Sequence, residues 1–140
     1  LQYYNKGDGV QAEMYYRKAI KVDPKLPNPY NNIGIILIGS GKNSEAIMNF
    51  KKAIELNPKY TNPYANLGIL YTNTNQPQLA IENLKKAIEL DPTRYALYWK
   101  IADVYYLLND RNTARSYYQK AVDLGGKDDE IFNKLKELSQ

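Results

Sequence analysis

The sequence predicts an all-α solenoid, in which antiparallel helix pairs stack along the chain. Three observations predict it: a period of 34 residues, apolar residues spaced three and four apart, and helix-breaking residues between the apolar segments. The period appears when residues 27–60 are aligned with residues 61–94. Identical residues at this offset pair Tyr30 with Tyr64, Gly34 with Gly68, Ala46 with Ala80, Ala53 with Ala87 and Pro58 with Pro92. One further period reaches Tyr98, Ala102, Ala114 and Ala121.

Each repeat contains two amphipathic segments, which we call helix A and helix B. In the first full repeat, apolar residues from Tyr30 to Leu37 and from Ala46 to Ile54 are spaced as single helical faces. Small residues such as Gly34 allow the two helices to approach closely. The pattern predicts helices over residues 8–22, 29–41, 44–56, 63–75, 77–90, 96–109, 111–124 and 128–139.

Asparagine and proline mark the predicted helix ends. Asn28 and Asn62 each precede a proline, as an N-cap precedes a proline in the first helical turn. Pro58 and Pro92 end helix B, because proline cannot continue a helix. Turn residues within the pairs lie at 40–43, 74–77 and 109–110.

The repeat resembles the tetratricopeptide repeat (TPR). That motif has large residues at positions 4, 11 and 24, an aliphatic residue at 7, a small residue at 8, alanine at 20 and 27, and proline at 32. Residues 27–60 supply Tyr30, Ile33, Gly34, Leu37, Ala46, Phe50, Ala53 and Pro58. Residues 61–94 supply Tyr64, Leu67, Gly68, Tyr71, Ala80, Leu84, Ala87 and Pro92. Residues 95–128 supply Tyr98, Ile101, Ala102, Tyr105, Ala114, Tyr118 and Ala121, but Gly126 replaces the proline.

This resemblance implies a right-handed superhelical solenoid of about three and a half repeats in one domain, residues 1–140. The partial repeat 1–26 contributes Tyr3, Ala12, Tyr16, Ala19 and Pro24. Full repeats are expected at 27–60, 61–94 and 95–128, and a capping helix at 129–140. The resemblance also implies that helix A lines a concave groove in which ligand peptides lie.

The two ends of the chain differ. The last helix has Ile131, Phe132, Leu135 and Leu138 on one face and Lys134, Lys136 and Glu137 on the other, which suits a terminal cap. Residues 1–6 resemble the tail of a helix whose beginning is absent, so we expect the native protein to extend further or the sequence to be a fragment. An uncovered end exposes apolar surface, which predicts a homo-oligomer formed through the N-terminal end.

Composition argues against an enzyme. The chain has no cysteine and no histidine, which removes thiolate nucleophiles, the commonest general base and the commonest metal ligands. Glu45, Glu82 and Glu89 are scattered on predicted helix surfaces without a partner base. We therefore predict no catalytic residues, no cofactor and no metal site. The longest apolar stretch is too short for a transmembrane segment.

Helical angles identify the exposed side of helix A. At 100° per residue, positions 4, 7, 8 and 11 face the core, so positions 2, 6, 9 and 13 point away and positions 5 and 12 lie at the flanks. These positions mix apolar residues with asparagines, as a contact surface does. The residues predicted to bind a partner are Asn32, Ile35, Ile38, Asn66, Ile69, Asn73, Trp99, Lys100, Asp103 and Tyr106.

Three of these assignments have alternatives. Asn32 and Asn66 share position 6 and resemble an asparagine ladder that holds a peptide backbone, although asparagine is also common there in the family. Trp99 is either a binding anchor or a ring packed between helices. Ile35 and Ile69 are either ligand contacts or part of the core between repeats.

The sequence therefore predicts a protein–protein interaction module that binds a peptide segment or partner domain in the groove, as an adaptor or assembly scaffold. One TPR subtype clamps a chaperone's C-terminal carboxylate, but Asn31, Asn62 and Ala96 stand where its positive charge is expected. A self-assembling scaffold is one alternative.

Binding of nucleic acid or membrane by the outer face is the other alternative. The basic pairs on helix B suggest it, yet Lys51–Glu55 and Lys85–Glu89 are spaced as i,i+4 ion pairs of a solvated face. Nucleic acid is therefore not expected as a partner. The N-terminus identifies no compartment, and the cytoplasm is favoured over secretion or the periplasm.

Overall fold

The computed structural model describes residues 6–140, and over that range it contains eight α-helices and no β-strand. The helices are α1 (Lys6–Val22), α2 (Pro27–Gly39), α3 (Asn43–Leu56), α4 (Thr61–Asn73), α5 (Pro77–Leu90), α6 (Tyr95–Leu107), α7 (Arg111–Asp123) and α8 (Asp129–Leu138). Each lies within two residues of its predicted bounds, so the all-α prediction is confirmed. Of the helical tail predicted at residues 1–6, residues 1–5, which include Tyr3, lie outside the described residues.

The N-caps predicted at Asn28 and Asn62 are wrong. Helix α2 begins at Pro27 after Leu26, whose side chain makes no capping hydrogen bond, and α4 begins at Thr61. Both asparagines therefore lie inside the first turn. The first amide groups of a helix have no partner within it, so Pro27, which has no N–H, fits at the start and extends α2 beyond the predicted cap.

All three helix A segments end in the same left-handed turn. Gly41, Asn75 and Asn109 have φ values of 74°, 58° and 60°, and they are spaced by the repeat period. The next amide then donates to the carbonyl five residues back, as Lys42 does to Leu37 at 2.9 Å. This is the Schellman arrangement, which favours glycine and asparagine because they tolerate positive φ.

Helix α7 ends differently from the other helix B segments, which stop before Asn57-Pro58 and Asp91-Pro92. Gly125 has φ 97°, and the Gly126 amide donates to the Ala121 carbonyl at 2.9 Å. A proline at position 126 would lose that bond, and a Cβ there would lie 2.8 Å from Cδ2 of Tyr95. Gly126 replaces the motif proline because this turn needs both the amide and the space.

The chain divides into two compact units, with the boundary between Asn66 and Leu67 inside α4. In the N-terminal unit, α1 packs on α2 and α2 on α3. In the C-terminal unit, α5 packs on α6, α6 on α7 and α7 on α8. The single domain and its repeat boundaries stay predictions.

The interior of each unit consists of the residues that the repeat motif makes large or small. In the N-terminal unit, Ile33, Leu37, Ala46, Phe50 and Ala53 are buried. In the C-terminal unit, the buried residues include Leu70, Ala80, Leu84, Ile101, Ala102, Tyr118 and Ile131. The apolar stripes of helix A and helix B thus meet as the spacing predicts.

Tyrosine at position 4 has a polar role as well as an apolar one. The Tyr64 hydroxyl donates to the Pro58 carbonyl at 3.1 Å, and the Tyr98 hydroxyl donates to the Pro92 carbonyl at 2.8 Å. Each bond joins helix A to the turn that precedes it. A phenylalanine would fill the same space but leave that carbonyl without this donor.

The capping helix α8 is amphipathic as predicted, with one exception. Ile131 and Leu138 are buried and Leu135 is half-buried, but Phe132 is 45% exposed. Adjacent residues on a helix point about 100° apart, so Ile131 and Phe132 cannot both face α7. Phe132 therefore lies outside the apolar side of the cap.

The closest helix contacts occur at position 8. A Cβ on Gly34 would lie 2.6 Å from Cε1 of Phe50, and one on Gly68 would lie 2.5 Å from Cγ of Leu84. Phe50 and Leu84 are fully buried, so neither can move aside. The absence of a side chain therefore sets the distance between α2 and α3, and between α4 and α5.

Substitution of Gly34 tests this contact. Gly34→Ala should lower the free energy of unfolding by about 1–2 kcal/mol, because overpacking against Phe50 outweighs the gain in helix propensity. Gly39→Ala is the matched control in the same helix, since nothing lies within 4 Å of its added Cβ. Urea unfolding of both variants measures the difference, and equal effects would contradict the steric explanation.

Candidate functional site

The ten residues predicted to contact a partner all lie on α2, α4 and α6, and we use the name helix-A face for the sides of these helices on which they lie. The N-terminal unit contains Asn32, Ile35, Ile38 and Asn66, and the C-terminal unit contains Ile69, Asn73, Trp99, Lys100, Asp103 and Tyr106. Ile35 (44% exposed) and Asn73 are exposed, and the other eight are half-buried. All ten are therefore accessible to some degree.

In the first two repeats, position 5 is buried instead of lying at the flank of this face, contrary to the angular prediction, whereas Trp99 at position 5 of the third repeat is half-buried. Asn31 is 2% exposed and Ala65 is 9% exposed. Within the N-terminal unit, the start of α4 covers Asn31: the Asn66 side-chain amide donates to Asn31 Oδ1 at 2.9 Å. Angles calculated on one helix do not show that the next helix A covers this residue.

The bond between Asn31 and Asn66 changes the ladder hypothesis. Asn31 is the buried polar residue of the described chain, and a buried amide oxygen needs a donor. Asn66 supplies that donor, so part of its hydrogen-bonding capacity is used inside the protein. The sequence offered one signal for this pair, asparagine at positions 5 and 6 of neighbouring repeats. The remaining groups of Asn66, and those of Asn32, stay candidates for a ligand.

Trp99 combines packing with an unmatched polar group. Its ring packs against the buried cluster around Tyr98, Ala102 and Tyr118. The indole Nε1–H is buried and has no hydrogen-bond partner among the described residues. The Lys100 ammonium lies 4.4 Å from the ring centroid, within cation–π range. Trp99 therefore belongs partly to the core and holds Lys100 at the surface.

Asp103 is held between helices α6 and α7. Its Oδ1 accepts a hydrogen bond from the Tyr118 hydroxyl at 2.5 Å, and its Oδ2 lies 4.0 Å from the Lys100 ammonium. Burial raises the pKa of Asp103, although the Tyr118 hydrogen bond and the Lys100 charge oppose that shift. Burial, then the bond to Asp103, raises the pKa of Tyr118. The Tyr118 hydroxyl therefore stays a donor.

Tyr106 is engaged by the capping helix. Its hydroxyl donates to Glu137 Oε1 at 2.6 Å, and the Lys134 ammonium lies 3.7 Å from its ring centroid. Arg111 also donates to the Glu137 carbonyl at 3.3 Å. The predicted contact residue Tyr106 thus already has an intramolecular partner for its hydroxyl, which the sequence pattern did not reveal.

A small hollow lies on the helix-A face of the C-terminal unit. It has a volume of about 90 Å³ and is lined by Ile69, Thr72, Asn73, Lys100 and Asp103. We call it the Thr72 hollow. Four of these residues were predicted to bind a partner, and Thr72 was not. Sites for small molecules usually have about 300–1,000 Å³, so this one has the size of a single side chain.

The outer face of helix B differs from the helix-A face. A depression of about 730 Å³ there is lined only by α7 residues: Asn112, Arg115, Ser116, Tyr117, Gln119, Lys120 and Asp123. The predicted i,i+4 ion pairs are wrong in register, since Lys52 pairs with Glu55 and Lys86 with Glu89, each at 3.2 Å. Residues three apart are also helical neighbours, so either spacing is feasible.

A cluster of acidic side chains would indicate a metal site, and a long apolar helix would indicate a membrane span. Among residues 6–140, no group of three or more acidic side chains is arranged to hold a metal ion. Within the same range, no helix combines the length and apolarity needed to cross a bilayer.

Sequence models of one repeat family match the chain over most of its length. A model described as TPR repeat matches residues 36–75. Two described as tetratricopeptide repeat match residues 62–94 and residues 3–26 with 95–124. The chain belongs to the tetratricopeptide repeat family. TPR domains are typically non-catalytic interaction modules, so membership supports a protein–protein interaction module.

Solved structures of similar fold agree. The crystal structure of MamA has a TM-score of 0.84 and 25% identity, covering 95% of this chain and 78% of MamA. Pseudomonas aeruginosa pilF has a TM-score of 0.84 and 24% identity, and the match covers 96% of this chain and 61% of the pilF chain. The first TPR of Spaghetti (RPAP3), bound to HSP90 peptide SRMEEVD, has a TM-score of 0.78 and 20% identity. The match covers 84% of this chain and 94% of that chain. A comparison with curated protein sequences finds no match. The fold is an all-α TPR solenoid.

The raised pKa of Asp103 makes a testable contribution to stability of this TPR chain. Because the folded protein binds the Asp103 proton more tightly than the unfolded chain, stability from this group falls as pH rises above the ordinary value of 3.8. The stability of the wild type relative to Asp103→Asn should therefore decrease with rising pH. Urea unfolding across that range measures the difference, in which other titrating groups cancel.

Tyr118→Phe provides the control for this prediction. In the wild type, the hydrogen bond from Tyr118 favours the ionised carboxylate of Asp103. Its removal in Tyr118→Phe should therefore make the stability of the folded protein fall more steeply with rising pH. A difference between wild type and Asp103→Asn that is constant or grows with pH would show that Asp103 is not held in a disfavoured ionised state.

Proposed function

We propose that this TPR chain binds a peptide segment or partner domain along its helix-A face, as an adaptor or assembly scaffold. The observation that supports it most is the Thr72 hollow, where an aliphatic side chain, a hydroxyl, an amide and two opposite charges converge. In a binding site, apolar surface gives affinity for a ligand and a few placed polar groups fix its orientation. A helix surface that only faces solvent has no reason to combine them.

The N-terminal unit contributes a second part of the proposed surface. Ile35 is 44% exposed, and half-buried Ile38 lies on the same side of α2 three residues later. Asn32 lies one turn from Ile35, and its amide can donate to and accept from a peptide backbone whatever the peptide's sequence. Apolar contacts beside an amide suit an extended segment rather than a small molecule.

The recognition chemistry differs from that of a carboxylate clamp. In the Spaghetti (RPAP3) structure, a TPR of this fold carries the peptide SRMEEVD. In the present chain, Asn31 is buried, position 96 is alanine, and Lys100 is the basic residue of the helix-A face. Lys100 also has an acid neighbour, Asp103. We therefore propose recognition through apolar and hydrogen-bonding contacts rather than through a C-terminal carboxylate.

The charged outer face supports the nucleic-acid and membrane alternative less well. Lys52 and Lys86 pair with glutamates on their own helices, and these exposed pairs are typical of a solvated face. The net charge of +4 comes from 19 basic and 15 acidic residues, so opposite charges are nearly balanced. Phosphate binders usually concentrate positive charge on one face.

Peptide selection against the immobilised protein tests the proposal. The wild type should retain peptides, and Ile69→Glu should bind them at least about tenfold more weakly, because a carboxylate replaces an apolar contact. Met48→Glu is the control, since Met48 is 71% exposed on the outer side of α3. If Ile69→Glu, shown to be folded by circular dichroism, keeps the same peptides as the control, the proposal fails.

Self-association is a second candidate function, favoured by the surface of α1. Val10, Met14 and Tyr15 are 57%, 51% and 69% exposed, and Val22 is 87% exposed. Val10 and Met14 lie one turn apart on the same side of the helix. Several large apolar side chains on one helix suggest a contact surface, because soluble monomers rarely expose them together.

Met14 and Met48 provide a matched pair for testing self-association, since both occupy position 22 of their repeats. Met14→Lys should weaken a concentration-dependent dimer at least about tenfold, because it places a charge on the apolar side of α1. Met48→Lys should leave the dimer unchanged. Sedimentation velocity over a range of concentrations measures the mass. A wild type that stays monomeric throughout would eliminate this candidate.

A further inference from the structure

Two neighbouring places on the helix-A face of the C-terminal unit are built from equivalent residues. The Thr72 hollow is lined by Ile69, Thr72, Asn73, Lys100 and Asp103. The residues one period of 34 further along the chain are, in the same order, Asp103, Tyr106, Leu107, Lys134 and Glu137. The first place lies where α4 meets α6, and the second where α6 meets α8. A lysine and an acid recur at the same positions in both.

At the second place, the protein's own tyrosine occupies the site. The Tyr106 hydroxyl donates to Glu137 Oε1 at 2.6 Å. The Lys134 ammonium lies 3.7 Å from the centroid of the same ring. Lys134 and Glu137 are themselves 3.8 Å apart, so they hold one phenol between a cation and a carboxylate. A charge-assisted hydrogen bond and a cation–π contact thus act on one side chain.

At the first place, the lysine and the acid are present and the tyrosine is not. Lys100 and Asp103 form the same i,i+3 pair, with 4.0 Å between Nζ and Oδ2. Thr72 stands at the position of Tyr106, and its hydroxyl donates to the Gly68 carbonyl at 2.8 Å. The threonine hydroxyl is therefore bonded to its own helix and does not reach Lys100 or Asp103 as the Tyr106 side chain reaches Lys134 and Glu137. The hollow of about 90 Å³ is lined by Thr72, Lys100 and Asp103, which are the counterparts of Tyr106, Lys134 and Glu137.

We propose that the Thr72 hollow binds the phenol side chain of a tyrosine in the partner's peptide, as Tyr106 is bound at the neighbouring place. This inference rests on the proposed function, because it names the side chain that the helix-A face recognises. The Lys100 ammonium lies over the incoming ring, Asp103 Oδ2 accepts the hydroxyl proton, and Ile69 contacts the ring edge. Asn73, exposed at the rim, bonds to the peptide backbone.

The groups required are partly engaged already, since Lys100 lies 4.4 Å from the Trp99 ring centroid and 4.0 Å from Asp103 Oδ2, but each keeps capacity for a further contact. Tyr118 occupies Asp103 Oδ1, so Oδ2 keeps its accepting capacity. The side chain of Lys100 is 39% exposed and is held near the hollow by Trp99. Phenylalanine could enter the hollow but could not donate to Asp103. The expected preference for tyrosine over phenylalanine is about tenfold, the effect of one hydrogen bond to a charged group.

Variants at Thr72 provide the sharpest test. Thr72→Tyr should fill the hollow from within and weaken binding of a tyrosine peptide at least about tenfold. Thr72→Val keeps the volume of the side chain and should bind like the wild type. The peptides are those retained in the selection, each compared with its Tyr→Phe version by fluorescence polarisation. Lys100→Met removes the cation without added volume and should weaken binding of both the tyrosine peptide and its Tyr→Phe version, because the cation–π contact acts on either ring.

The outcomes separate this inference from the function on which it rests. Tyrosine peptides that are lost with Thr72→Tyr and kept with Thr72→Val support it. Peptides without tyrosine that are lost with Ile69→Glu but kept with Thr72→Tyr leave the proposed function standing and overturn the inference. If the wild type retains no peptide, the proposed function fails. NMR titration with N-acetyl-tyrosinamide then decides: shifts at Thr72 and Lys100 that exceed those from N-acetyl-phenylalaninamide support the hollow, and equal or absent shifts overturn it.

Discussion

The contact between a small residue on helix A and a large one on helix B sets the geometry of the repeat. At Gly34 and Gly68 there is no room for a Cβ, because buried Phe50 and Leu84 touch the helix backbone. Interiors are packed as densely as crystals, so a contact of this kind fixes the distance between two helices rather than merely favouring it. The left-handed turns at Gly41 and Asn75, which join the same helices, then fix how the chain reverses.

A fixed framework leaves the chemistry to a few positions. In the C-terminal unit, residues at positions 6, 9 and 12 lie together where α4 meets α6 and where α6 meets α8. With Thr72 a hollow forms, whereas with Tyr106 the same place is filled. The residue at position 12 is thus the difference between the hollow and the filled place.

Most of the fold could be predicted from the sequence because its determinants are local. Helix spans follow from apolar spacing, and the turn at Asn109 follows from the tolerance of asparagine for positive φ. Helix starts were less predictable, because both Pro27 and Pro29 are compatible with the first turn of a helix and the sequence does not show which one begins it. The departure at Gly126 was visible in the sequence, but its reason depends on Tyr95, which lies 31 residues earlier.

The candidate site was less predictable because its contacts join different helices. Angles on one helix show which side chains point away from its own partner, but not which are covered by the next helix, as Asn31 is by Asn66. The engagement of Tyr106 by Glu137 likewise joins two repeats. Thr72 was missed because a hollow is a property of what surrounds a small residue. The pairing of Lys52 with Glu55 turned on a choice between two helical spacings that sequence does not resolve.

Position 8 of α8 differs from position 8 of the three full repeats. One period beyond Ala102, that position is Lys136, an exposed residue of α8. A helix B that approached α8 as closely as α3 approaches α2 would meet a lysine where the framework has space only for glycine or alanine. Close packing of a helix B at this position would therefore require the Lys136 side chain to bend away from the contact, at a cost in side-chain entropy that glycine does not have.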